Sequence, residues 1–176
     1  METSSAILMR KIKFSETTLI VEWLTKDHGK LKTMAKGARR PKSPFAGKLD
    51  LFFEAEIQFL KSRAGDLHTL REVVLQETHE GLRLNYQRVQ LASYFVELLE
   101  MTTEPEHPAP ELFDLMQRAL NHLQSNPPSK RILLHFESEL VRLLGISGQA
   151  ETSPAAAITH AYHKLPRERA ALIASF

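Results

Sequence analysis

Apolar residues recur at every second position through much of residues 1–76 and at every third or fourth position from about Gly81 onward. Strands bury one face at a period of two and helices one stripe at a period of 3.6. The chain therefore reads as an all-β half followed by an all-α half, an α+β protein in two parts. The clearest strand covers residues 51–59, where Leu51, Phe53, Ala55, Ile57 and Phe59 alternate with Glu54, Glu56 and Gln58. Residues 18–24 and 31–36 flank Asp27-His28-Gly29, a hairpin turn in which the glycine takes the left-handed region. Residues 67–75 follow a turn containing Gly65, and residues 6–14 open the set. Five short, turn-connected strands suit a small closed barrel, because closure removes the edges a free sheet exposes.

In the second half, Leu112, Leu115, Met116, Ala119 and Leu123 lie at helical offsets, with Pro110 near the first turn. Ile132, Phe136, Leu140, Leu143 and Leu144 repeat the pattern between Ser129, an N-cap, and Gly145, a helix stop. Apolar residues wrap more than half the circumference between Tyr86 and Leu99, which marks the buried centre of this half. Prolines at 105, 108, 110, 127 and 128 interrupt the helices. Ser153-Pro154 caps a further short helix, and Pro166 opens one through Ala174. The expected domains are residues 1–78 for the barrel and 79–176 for the helices.

The net charge of +2 hides an asymmetry: residues 1–76 hold 14 Lys and Arg against 9 Asp and Glu, and residues 77–176 hold 9 against 12. Between Asp27 and Asp50 stand Lys30, Lys32, Lys36, Arg39, Arg40, Lys42 and Lys48 with no acidic residue among them. A one-sign field on a folded domain points to a polyanionic partner. On a strand, Lys30, Lys32 and Lys36 share the outward face, and residues 37–48 form a loop stiffened by Pro41 and Pro44. Arg39 and Arg40 suit forked contacts to phosphates or stacking on bases, while the lysines act as point charges, a division that fits a single-stranded backbone. Phe45, inside this loop, is a candidate stacking residue; Trp23 reads as barrel core. Arg10, Lys11 and Lys13 extend the patch along the first strand.

The run Lys36-Gly37-Ala38-Arg39-Arg40-Pro41-Lys42-Ser43 resembles the signature loop of the RecO family of recombination mediators. Ser15-Glu16-Thr17, Leu19-Ile20-Val21, His28-Gly29-Lys30-Leu31, Thr69-Leu70-Arg71-Glu72, Leu82-Arg83 with Tyr86, Ala92-Ser93-Tyr94 with Glu97-Leu98, and Phe136-Glu137 through Leu143-Leu144-Gly145 follow in that family's order. The resemblance spans about residues 6–146. It implies an N-terminal OB-fold barrel and a C-terminal helical domain. It also implies binding of single- and double-stranded DNA, annealing of complementary strands, and a cytoplasmic, nucleoid-associated setting. The implied partners are a RecR-like mediator, a RecA-type recombinase and single-stranded-DNA-binding protein. DNA contact carries over to Lys36, Arg39, Arg40 and Lys42. The acidic tail of single-stranded-DNA-binding protein needs cations beside an apolar groove, for which Arg118, Arg131 and Arg142 are the helix-borne candidates. Many members carry a cysteine zinc module after the position of Gly145, and a chain without cysteine cannot build it. The 31 residues after Gly145 are short for the family.

No catalytic residue, metal or cofactor is expected. The seven glycines form neither a phosphate-cradling nor a dinucleotide-binding fingerprint. His160 and His163 have the spacing of metal ligands on one helix face but lack a third ligand nearby. Glu54 and Glu56 are accounted for by strand alternation, although a nuclease would use such a pair. The absence of cysteine and of a long apolar run leads to the expectation of a soluble protein in a reducing compartment, with no membrane partner. Two other readings stand beside the mediator: an adaptor whose basic loop grips acidic partner tails, and an RNA-binding OB module.

Overall fold

The computed structural model describes residues 1–147 and 152–176; Gly148, one of the seven glycines, lies outside them. Among the described residues the chain forms strands β1 (Glu2–Lys13), β2 (Leu19–Thr25), β3 (Gly29–Ala35), β4 (Glu54–Leu60) and β5 (Leu67–Glu77). A 3₁₀ turn (Glu80–Leu84) and helices α1 (Tyr86–Thr102), α2 (Pro110–Ser125), α3 (Lys130–Leu144), α4 (Pro154–Tyr162) and α5 (Arg169–Ser175) follow. The chain divides into two compact units, Met1–His79 with Thr103–Phe113, and Glu80–Thr102 with Asp114–Phe176.

The first unit is a closed barrel of strand order β1-β2-β3-β5-β4. Every pairing is antiparallel except β3 with β5. The expected alternation is plainest in β3, where Gly29, Leu31, Thr33 and Ala35 are buried while Lys30, Lys32 and Met34 are partly exposed. Inside, Leu8, Val21, Trp23, Leu31, Ile57, Phe59, Leu70 and Val73 form the core. The Trp23 indole N–H donates to Thr33 Oγ1 at 2.8 Å, which satisfies a donor that the barrel would otherwise strand. Thr33→Val keeps the shape and removes the acceptor. It is expected to lower stability by about 1–2 kcal/mol, measured by urea denaturation followed through the single Trp23.

Two strands start three or more residues away from the sequence reading. β1 starts at Glu2 rather than Ala6, because one long strand serves two neighbours: Glu2 to Ile7 pair with β4, and Ala6 to Lys13 pair with β2. A bulge between Leu8 and Arg10 bends it from one to the other. β4 starts at Glu54 rather than Leu51. Phe52 turns at φ 67°, and the segment hydrogen-bonds to β1 through Phe52 N–H to Leu8 O and Leu8 N–H to Phe53 O, both 2.9 Å.

The proline-rich segment after α1, read from sequence as a plain connection, belongs to the barrel unit. The Glu106 N–H donates to Lys30 O at 3.0 Å, and the Glu106 carboxylate lies 3.1 Å from Nε2 of the buried His68 and 3.3 Å from Lys61. His68 Nδ1 accepts from the Ser62 N–H at 3.0 Å. The strap lies so close to the hairpin that a Cβ on Gly29 would meet His107 O at 2.0 Å.

In the second unit, eight residues of α1 are buried, and Phe95 stacks on Phe136 of α3 at 3.9 Å. Ser129 caps α3 by accepting from the Ile132 N–H, and Gly145 ends it at φ 65°. Ser153 caps α4 in the same way. α5 begins at Arg169 rather than at Pro166, whose carbonyl accepts from the Arg169 N–H at 3.3 Å. Arg169 makes a two-pronged contact with the buried Glu137 of α3, Nε to Oε1 at 2.6 Å and Nη2 to Oε2 at 2.9 Å. The Tyr94 hydroxyl of α1 donates to the same carboxylate. Burial, reinforced by that carboxylate, pushes the Tyr94 phenol well above its ordinary value and keeps it a donor.

Candidate nucleic-acid interface

The segment from Lys36 to Phe53 is a chain of tight turns. The N–H groups of Arg40, Ser43, Ala46 and Lys48 donate to the carbonyls of Gly37, Arg40, Ser43 and Phe45, each at 3.0–3.1 Å. Two anchors fix it. Phe45 is only 5% exposed and packs in the barrel core, so it is not available to a base; the stacking role expected of it is corrected to that of a plug. An aromatic ring next to an open barrel mouth is worth more buried than exposed. Arg39 is the second anchor. Its N–H donates to Thr17 O, and its Nη1 donates to the carbonyls of Ser15 and Glu16, all at 3.1 Å, which ties the loop to the β1–β2 turn.

These anchors hold Lys36, Arg40 and Lys42 out in solvent. Among the described residues none of the three, nor the half-buried Lys48, has an acidic partner. Lys36 lies beyond the end of β3 and does not share the strand row of Lys30 and Lys32, a correction to the alternation that ran one residue too far. The strand-borne cations are differently placed. Register sets Arg10 opposite Glu22 and Glu22 opposite Lys32, and Lys32 also lies 3.6 Å from Asp66. Lys11 meets Asp50 at 2.7 Å and Lys13 meets Glu16 at 3.2 Å. The sheet face is therefore nearly charge-balanced, and uncompensated positive charge gathers on the loop.

Arg118 of α2 and Arg131 of α3 come together at one groove of about 690 Å³, with His122 and His135 beside them and Phe95, Leu115 and Phe136 among its lining. Arg142 is not part of it. It is held two-pronged by Glu139 at 2.8 and 3.2 Å, and that guanidinium lowers the Glu139 pKa below the usual carboxylate range. Other candidates dissolve. His163 lies past the end of α4 at φ 60°, so it does not share a helix face with His160. Glu54 is buried and Glu56 exposed, so they offer no joint carboxylate surface. Among the described residues no group of three potential ligands could hold a metal ion, and no helix is long and apolar enough to cross a membrane.

A five-stranded barrel closed in the order 1-2-3-5-4, followed by helices, defines the OB class of small barrel. A family model described as "Recombination protein O N terminal" matches residues 1–79, and one described as "Recombination protein O C terminal" matches residues 83–150. The chain belongs to the RecO family. Relatives named DNA repair protein RecO include that of Rhodopirellula baltica, 37% identical over 142 residues, which are 81% of this chain and 53% of that protein. Those of Salinibacter ruber (31%, covering 89% and 60%) and Idiomarina loihiensis (32%, covering 80% and 59%) are similar. The chain thus spans between about half and three fifths of the length of the relatives it matches.

Proposed function

We propose that this chain is a non-enzymatic recombination mediator in DNA repair, working in the cytoplasm at the nucleoid. It binds single- and double-stranded DNA through residues 1–78, anneals complementary strands and helps a RecA-type recombinase, with a RecR-like partner, onto strands coated by single-stranded-DNA-binding protein. The observation that carries this reading is the anchored loop, in which exposed Lys36, Arg40 and Lys42 stand without acidic partners among the described residues, next to the Arg39 guanidinium. A loop already held by Phe45 and Arg39 loses little entropy when phosphates dock. Two strands held against one cationic surface repel each other less, so complementary segments pair without any bond-making step.

With roughly four phosphates neutralised, the affinity for single-stranded DNA should fall with salt at a log–log slope of about −3, measured by anisotropy across a salt series. A flat response would remove this mechanism. Annealing of complementary strands, naked and coated, tests strand pairing and partner recognition together. A second reading, an adaptor for acidic protein tails, is favoured by the groove that joins Arg118 and Arg131 to an apolar lining in the helical unit. Titration with labelled DNA and with an acidic tail peptide at one ionic strength separates the two. A mediator binds both, with only the peptide weakened by Arg118→Ala or Arg131→Ala; an adaptor binds the peptide alone. Tighter binding of an RNA strand of the same sequence in that titration would turn the reading toward RNA.

A further inference from the structure

Phe45 leaves the basic loop without a ring for bases, yet the barrel shows apolar side chains elsewhere on the same rim. Register places Ile12 of β1 opposite Ile20 of β2, and Ile20 opposite Met34 of β3. All three occupy the outward side, since the inward partners on either side of Ile20 are Leu19 and the buried Val21. Ile12 is 43% exposed, whereas Ile20 and Met34 are half-buried. With strands about 4.8 Å apart, the row runs roughly 10 Å across the sheet. Phe14 stands one residue past the end of β1, at the start of the β1–β2 turn, and is 58% exposed.

Phe14 is presented on a fixed turn. Its N–H and that of Ser15 donate to Thr18 O at 3.1 and 3.2 Å, and the Thr18 N–H donates to Ser15 Oγ at 3.1 Å. Arg39 also donates to the carbonyls of Ser15 and Glu16, which ties the turn next to Phe14 to the loop carrying the cations. The outward row one step farther from the loop is the charged set Arg10, Glu22 and Lys32. An apolar strip thus lies between a cationic loop and a polar row, the surface that an unpaired nucleic-acid strand requires: phosphates against the charges, bases against a flat apolar strip ending in a ring.

We propose that Phe14, with Ile12, Ile20 and Met34, forms the base-stacking strip of a single-stranded DNA site whose phosphate side is the Lys36–Lys42 loop. The proposal rests on the DNA-binding reading above and adds which atoms meet the bases. It distinguishes the two nucleic-acid forms: single strands present base faces to the strip, whereas in a duplex the bases face each other and only the phosphates engage.

The test compares an oligothymidylate with an abasic strand of equal length, both by anisotropy at one salt concentration. The wild-type chain should bind the oligothymidylate about tenfold more tightly. Phe14→Ala should bring that ratio close to one while leaving abasic and duplex affinities and the thermal midpoint unchanged, and Phe14→Trp should restore it. Arg40→Ala should weaken both strands alike. Wild-type preference retained in Phe14→Ala, or no preference in the wild type, overturns the stacking strip and leaves phosphate binding standing. Failure of the wild type to bind either strand overturns both.

Discussion

Replacing Lys36, Arg40 and Lys42 together with alanine should reduce affinity for single-stranded DNA by on the order of a hundredfold at low salt and bring the salt slope from about −3 to near −1. Duplex affinity should fall in parallel, because phosphate contacts carry no sequence information. The thermal midpoint should not move, since these side chains are exposed and have no acidic partner among the described residues. Arg39→Ala is a different experiment. Its guanidinium spans the carbonyls of Ser15 and Glu16, so its loss loosens the rim as well as removing a charge. Stability and DNA affinity should therefore fall together in Arg39→Ala and separate in the triple variant. By contrast, Lys11→Ala and Lys13→Ala should change DNA affinity little, because Asp50 and Glu16 already balance them. An unchanged salt slope in the triple variant would move the interface off this loop.

The elements follow from local rules that the sequence displays. Alternation marks the strands, helical spacing marks α2 and α3, and Ser129, Gly145 and Ser153 act at their caps as their chemistry requires. What local reading missed is long-range. Phe45 sits among cations, prolines and glycines, a context typical of exposed loops, and nothing within ten residues of it reveals that the loop folds back over the barrel mouth. The strap around Glu106 pairs with Lys30 across more than seventy positions and has no strand signature of its own. Arg131 and Arg142, eleven positions apart, share a stripe of α3 but stand roughly 16 Å apart along it, so one groove reaches only the first. Ile12 is an apolar residue among cations near the end of β1, and its place beside Ile20 and Met34 follows only from the register.

Arg169→Met should destabilise the helical unit by about 3–5 kcal/mol, the cost of stranding a buried charge. For a chain of this size that corresponds to a thermal midpoint roughly 6–20 °C lower by calorimetry. Glu137 has no exposed side-chain surface, and its carboxylate is satisfied by two guanidinium nitrogens and the Tyr94 hydroxyl. Without Arg169 the carboxylate keeps one donor, and α5, seven residues long with Leu172 its one buried residue, loses the contact that holds it to α3. The contrasting variant removes the whole polar set: Tyr94→Phe, Glu137→Met and Arg169→Met together leave no buried polar atom from this cluster unpaired. That triple variant should recover most of the loss, because desolvating an ion pair costs about as much as its attraction returns, whereas desolvating half of one has no return. Single-stranded DNA affinity measured below the melting range should be the same in all of these variants, since the cationic loop belongs to the barrel unit. A single variant as stable as the wild type would mean that Glu137 reaches water or a proton in its place, and the cluster would then not be what secures α5.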